Sequence, residues 1–245
     1  MKREAQQQQR EPPVLSIIIP VLNEAHSVGA TLDAVREVRG RVEVIVVDGG
    51  SRDRTIEILQ RRAVHVIKSE RGRGIQLHTG ACAARGEALW FLHADTIPPP
   101  TAAELIADAL REEEAVGGNF RVRFDGERRA ARFLTWLYPQ LRKLGLLYGD
   151  SGIFVRRETY HRIGGLKPFP IFEDLDLVRR LKRVGRMVEI PVEVLTSSRR
   201  FEGRSFVLTF ARWAILQGLY WLGVHPRRLV RMYGPVRHAR KSSAT

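Results

Sequence analysis

Four strand-like segments, most of them continuous apolar runs rich in β-branched residues, set the strongest constraint on what this chain can fold into. They are VLSIIIPVL (14–22), VEVIVVDGGS (42–51), VHVIKS (64–69) and EALWFLHAD (87–95). A strand that faces water on one side alternates apolar with polar residues, whereas a run without alternation is covered on both faces, as in a parallel sheet. The segments between them have helical spacing. SVGATLDAVREVR places Val28, Leu32, Val35 and Val38 on one face, and DRTIEILQRRA and GIQLHTGACAARG repeat the pattern. Strands alternating with helices predict an α/β fold with a largely parallel central sheet flanked by helices. At 245 residues the chain can bury a large core without covalent staples.

In open α/β sheets ligands bind outside the carboxyl ends of the strands. Polar residues gather there in this sequence: Asn23 and Glu24 after the first strand, Asp48 to Asp53 after the second, Asp95 after the fourth. Asp and Asn are also ordinary turn and cap residues, and Asp53 in GGSRDRT reads best as a helix cap. Asp95 has no helix directly after it. TIPPP instead prescribes an extended exit, so Asp95 reads as functional.

The chain carries 41 basic and 27 acidic residues, a net charge of +14, which points to anionic partners. Cys82 is the single cysteine. An intrachain disulfide is therefore excluded, a reducing cytoplasmic setting fits best, and Cys82 itself reads as a packing residue. Residues 1–13 are polar and lack the apolar stretch of a secretory signal, so a disordered leader and no export are expected.

The ordered series SIIIPVLNE, VIVVDGGSRDRT, RGRGIQLHTGACAARGEALWFLHADT, GDSGIFVRR and FEDLDL resembles the inverting family 2 glycosyltransferases, especially small stand-alone bacterial members. The resemblance covers about residues 14–200. It implies the GT-A nucleotide-diphospho-sugar transferase fold for that span, with 201–245 as a basic, aromatic-rich helical extension. It also implies a metal-assisted transfer of sugar from a nucleotide diphosphate to an acceptor hydroxyl, non-processive because Ser197 and Phe201 stand where processive relatives have Gln and Trp. UDP-sugars are the leading donor and GDP-sugars the next.

The resemblance implies roles residue by residue. Asp95 is the metal-binding carboxylate for Mn²⁺ or Mg²⁺, ions that combine one or two carboxylates with phosphates and water. His93 replaces the first acid of the family's D-x-D, and three readings stay open: nucleotide contact, an imidazole for Mn²⁺, or packing. Asp48 contacts the base or ribose, Pro20 and Glu24 line the same pocket, and Arg71, Arg73, Gly72 and Gly74 meet the nucleotide. The forked donors of arginine suit a diphosphate. Asp174 is the general base, Glu173 its neighbour in orienting the acceptor, and Asp176 is structural. GGNF (117–120) and GDSG (149–152) are acceptor-side and sugar-side loops, with Asp150 on a sugar hydroxyl and Arg200 facing the diphosphate when its loop closes.

FVLTFARWAILQGLYWLGV (206–224) is nearly long enough to span a bilayer but contains Arg212 and Gln217, so a crossing is not expected. With Trp213, Tyr220, Trp221 and basic flanks it reads as a helix at an anionic membrane interface, near a lipid-linked acceptor on the inner face of the cell membrane, or as a helix packed on the domain or in a homodimer. Two competing classes fit the sequence less well. A sugar nucleotidyltransferase on the same fold would carry a Gly-rich basic signature where PVLNEAHS stands. A nucleic-acid-binding protein would explain the charge but leave Asp48, Asp95 and Asp174 unexplained.

Overall fold

The computed structural model describes residues 14–125, 129–143, 148–197 and 206–233. The leader, Arg200 and most of SSRRFEGRS lie outside the described residues. Eight strands form one sheet in the order β3-β2-β1-β4-β7-β6-β8-β5. Strands β1 (Leu15–Val21), β2 (Val42–Asp48), β3 (His65–Lys68) and β4 (Ala88–Phe91) pair in parallel, as the apolar runs require. β7 (Phe154–Arg156) runs antiparallel between β4 and β6 (Ala115–Phe124). β8 (Arg186–Thr196) lies parallel to β6, and the two-residue β5 (Thr96–Ile97) closes the edge antiparallel to β8. The sheet is thus mainly parallel.

Both faces of β1 are covered, which is why its sequence does not alternate. Leu15, Ile17 and Ile19 pack with Val28, Leu32 and Val35 of α1 (Val28–Arg36) and with Ile106 of α4 (Ala102–Ala109). Ile18 faces the other way, with Ile45 and Val47, against Leu77 and Ala81 of α3 (Arg73–Ala83) and Leu177, Val178 and Leu181 of α7 (Glu173–Leu181). The remaining helices are α2 (Thr55–Arg61), α5 (Arg129–Lys143), α6 (Arg157–Arg162), α8 (Phe206–Trp221) and α9 (Pro226–Tyr233). A third apolar cluster joins Leu216 of α8 and Leu229 of α9 to Tyr148, Phe172 and Leu175. The C-terminal helices therefore pack directly beside the Glu173–Asp174 pair. No helix among the described residues is long and apolar enough to cross a membrane.

Pro20 sits inside a central strand without breaking it. The β1–β4 ladder ends at Ile18–Phe91, where Leu92 N–H donates to Ile18 O, so the side on which Pro20 lacks an N–H is one that β4 has already left. Two expectations are corrected. GGNF is not a loop but lies within β6, where an added Cβ on Gly117 would collide with Phe154 O, so the glycine permits close strand approach. Cys82 is exposed, because the buried face of α3 is Gly74, Gln76, Leu77, Gly80 and Ala81, and position 82 points away from it.

Candidate active site

The loops after β1 and β2 lock together at the carboxyl rim of the sheet. Asn23, in the left-handed region at φ 57°, accepts a bond from Arg52 N–H at 2.7 Å and donates its own N–H to Ser51 Oγ. Asp53 precedes the N-cap residue Arg54 of α2 and accepts bonds from Thr55 N–H and from Ala25 N–H. Glu24 accepts from Ser27 Oγ, and its N–H donates to Thr55 Oγ1. Asp48 is buried at the tip of β2, its carboxylate turned onto the Gly50 and Ser51 N–H groups at 3.0–3.2 Å.

Gln76 is a residue the motif reading missed. It is buried, and its Nε2 donates 2.8 Å bonds to both Val21 O and Val47 O, clamping the ends of β1 and β2. Gly49, standing where the family has a second acid, makes room for it: a Cβ there would lie 2.9 Å from the Gln76 amide. An amide on an otherwise small and apolar helix face was the available signal.

Beyond β4 the chain turns sharply, Thr96 N–H donating to His93 O at 3.2 Å, and leaves through β5. Asp95 is half-buried at the tip of this turn. Thr31 Oγ1 fixes the turn from α1 by donating to Ala94 O. Among the described residues no three His, Cys, Asp or Glu side chains converge to cage a metal. Asp95 alone suits an ion that takes its other ligands from phosphate oxygens and water.

A dense polar cluster forms where α3, α7, β4 and the turn before β7 meet. Arg73, first residue of α3, pairs through Nε with Glu173 Oε1 and places Nη2 3.4 Å from Asp174 Oδ2 and Nη1 3.4 Å from His93 Nε2. Glu173 is 1% exposed and Asp174 13%, so the guanidinium is the counter-ion of a buried carboxylate pair. Asp174 also accepts Gly149 N–H at 2.7 Å on Oδ2 and Leu175 N–H at 2.8 Å on Oδ1. Burial opposes the charge on Arg73, but Glu173 and Asp174 outweigh it and hold its proton above the usual range. Burial raises the Asp174 pKa; Arg73 pulls it back and Glu173 pushes it up again, and the balance lies above the ordinary carboxylate range.

Asp150, in the short 3₁₀ turn Gly149–Ser151, lies 3.0 Å from His93 Nδ1 through Oδ1 and accepts Tyr138 Oη–H at 2.7 Å on Oδ2. Arg71 is exposed and makes no ion pair or hydrogen bond among the described residues, whereas Arg73, two positions on, reaches the cluster because the helix begins with it. Gly74, expected at the nucleotide, is buried in the first turn of α3, where a Cβ would meet Lys167 O at 2.8 Å and Glu173 Cβ at 3.2 Å. Asp176 ties α7 down through Arg180 at 2.8 Å, in keeping with a structural role.

A cleft of about 860 Å³ lies at the opposite end of the sheet, lined by Arg156, Arg162, Arg186 and Glu114 among others. Its arginines are paired: Arg156 with the carbonyls of Leu110, Glu112 and Ala115, Arg162 with Glu158, Arg186 with Glu112.

Comparison with known proteins places this rim in context. The model of a family described as "Glycosyl transferase family 2" matches residues 16–163, more than half of the chain, from β1 through α6 but short of the Glu173–Asp174 pair. A PGL/p-HBAD biosynthesis glycosyltransferase of Mycobacterium bovis is 37% identical over 161 residues, covering 62% of this chain and 51% of that protein. A probable glycosyltransferase of Bacillus subtilis, YdaM, is 26% identical over 203 residues, covering 72% and 48%. The chain thus spans about half the length of these curated relatives. Among solved structures, a mannosyltransferase from Pyrobaculum calidifontis in complex with GDP-Man and Mn²⁺ superposes with a TM-score of 0.63 at 22% identity, over 89% of this chain and 68% of that one. The glucosyl-3-phosphoglycerate synthase of Mycobacterium tuberculosis in complex with Mn²⁺ and UDP-glucose does so at 0.60 and 20%, over 91% and 84%. The family match runs through β1, β2 and β4 and the loops that follow them, and the mixed sheet is that of GT-A sugar transferases: the chain belongs to glycosyl transferase family 2.

Proposed function

We propose that this protein transfers a sugar from a nucleotide diphosphate to an acceptor hydroxyl with inversion, one sugar per encounter, assisted by Mn²⁺ or Mg²⁺. One observation carries the proposal: a forked cation, Arg73, and a raised-pKa carboxylate, Asp174, face each other at the strand carboxyl rim. Asp174 takes the proton of the acceptor hydroxyl as its oxygen attacks the anomeric carbon. The bond from that carbon to the diphosphate breaks on the opposite face, and Arg73 meets the charge that develops on the leaving group. Glu173 keeps Arg73 charged and in place while the acceptor is oriented. Asp95 would hold the divalent ion, which supplies further neutralisation of the diphosphate when bound. Asp48, Pro20 and Glu24 form the nucleotide end of the rim.

UDP-sugars lead as donors and GDP-sugars follow; the solved relatives hold UDP-glucose in one case and GDP-Man in another, each with Mn²⁺. The acceptor is a hydroxyl compound, whether a lipid, a small metabolite or another sugar, and an anionic membrane surface is one place to meet it. Support comes from α8 and α9. Ile215, Trp221 and Leu222 are 59%, 62% and 83% exposed, and Arg212, Arg227 and Arg228 are exposed near them in sequence, a mixture suited to an anionic interface. A homodimer contact through the same face is the competing use.

A panel of UDP- and GDP-sugars, followed by proton NMR of the sugar released to water or to an added alcohol, tests the proposal. Inversion predicts a β-anomer as the first product of an α-linked donor. A first product of retained configuration, or no nucleotide release from any donor by folded protein, would overturn it.

A further inference from the structure

We propose that His93 is a positioning residue rather than a metal ligand. Asp150 and Tyr138 fix it as the Nδ1–H tautomer, so that its Nε2 lone pair holds Arg73 at the mouth of the Glu173–Asp174 pair. The inference deepens the nucleotide-sugar reading and rests on it for the role of Arg73. Its geometry stands apart from that reading.

A guanidinium has five N–H donors and no acceptor. Arg73 Nη1 lies 3.4 Å from His93 Nε2, an approach that favours a lone pair on that nitrogen, since an N–H there would set two donors against each other. The ring proton is then on Nδ1, and Asp150 Oδ1 accepts it at 3.0 Å. Asp150 is itself held, because its other oxygen accepts the Tyr138 hydroxyl at 2.7 Å. The result is a chain of directed bonds, from α5 through the turn before β7 and the end of β4, to the first residue of α3.

The same logic governs the Asp–His pair of a serine protease, where a carboxylate sets tautomer and ring orientation without being the proton acceptor. The lone pair that a divalent ion would need faces a cation instead. Space is also short there, since a Cβ on Gly149 would lie 3.1 Å from His93 Nε2 and 3.2 Å from Asp174 Oδ2.

The test begins without any ligand. In protein labelled with ¹⁵N-histidine, the two-bond proton–nitrogen spectrum, assigned through His93→Gln, should show His93 with its proton on Nδ1. Asp150→Asn is isosteric but can donate to Nδ1. It should move that proton to Nε2 and weaken binding of UDP in the presence of Mn²⁺ roughly tenfold, the scale of one hydrogen bond to a charged group, with the melting temperature little changed. Tyr138→Phe, which deletes one hydroxyl, should weaken binding by a smaller factor in the same direction. His93→Gln, whose Oε1 can still accept from Arg73, should bind UDP better than His93→Leu. An Nε2–H tautomer in the wild type would overturn the proposal, as would Mn²⁺ hyperfine coupling to a His93 nitrogen in the UDP complex. Failure to bind any nucleotide while the Nδ1–H tautomer is observed would defeat the nucleotide-sugar reading and leave the positioning chain standing.

Discussion

Gly74→Ala puts the geometry of the site to a quantitative test. Gly74 is helical with no positive φ, so an added methyl brings no backbone strain, and intrinsic propensity favours alanine by about 1 kcal/mol. Packing acts the other way. The new Cβ would lie 2.8 Å from Lys167 O, about 0.6 Å inside ordinary contact, and 3.2 Å from Glu173 Cβ, so α3 must move away from α7. Overpacking of this kind costs about 1–3 kcal/mol, leaving a net loss of about 0–2 kcal/mol, or a fall in Tm of up to about 8 °C. Activity should suffer more than stability. The displaced turn carries Arg73 and the displaced partner carries Glu173, and misplacement on the ångström scale costs up to about 100-fold in rate. We expect turnover, measured as nucleoside diphosphate release, to fall about 10- to 100-fold. Gly218→Ala in α8 is the control: nothing lies within 4 Å of its Cβ, so it should gain about 0.5–1 kcal/mol with unchanged turnover. Wild-type turnover in Gly74→Ala protein, with Gly218→Ala behaving as described, would refute the claim that the α3–α7 contact sets the site.

Further perturbations have equally definite outcomes. Arg73→Lys keeps the charge but cannot span Glu173, Asp174 and His93 at once, so kcat should fall about tenfold or more while the fold persists in circular dichroism. The pH profile of kcat should show an acid limb above the ordinary carboxylate range, because Asp174 must be ionised to act and its folded pKa is raised. Removing one cause of that rise by Glu173→Gln should move the limb to lower pH. The linkage has the opposite sign from an Asp whose pKa is depressed: stability contributed by protonated Asp174 is lost as pH rises through its folded pKa, so its ionisation destabilises the neutral-pH protein, as melts of wild type and Asp174→Asn across that window would register. Trp221→Glu, on the exposed side of α8, should weaken sedimentation with anionic vesicles severalfold and leave donor hydrolysis in solution unchanged.

The sequence was most legible where burial is two-sided. β1, β2 and β4 are continuous apolar runs because helices cover both faces, and their carboxyl ends locate the rim without a structure. The other half of the sheet was obscure for physical reasons. β6 alternates buried residues with the exposed Arg121 and Arg123 and contains two glycines. β8 carries Pro191 and Val192 in a register shift opposite Phe120 and Arg121, so neither strand presents a clean period. β7 is three residues long. Within the site, Glu173 and Asp174 were visible as acids at a helix start. The bond between His93 and Asp150 joins residues far apart in sequence, and the choice of Arg73 over Arg71 depended on which residue opens the helix. Spacing cannot decide such matters, because they depend on how separate elements dock.

The central claim is a metal-dependent nucleotide site with Asp95 at its centre. The measurement that tests it most directly is a calorimetric titration of UDP and then GDP, each with and without Mn²⁺, into wild-type, Asp95→Ala and Asp174→Asn protein. The account predicts Mn²⁺-dependent binding of one nucleotide to the wild type, its loss in Asp95→Ala and its retention in Asp174→Asn. Nucleotide binding that ignores Mn²⁺ and survives Asp95→Ala would contradict it.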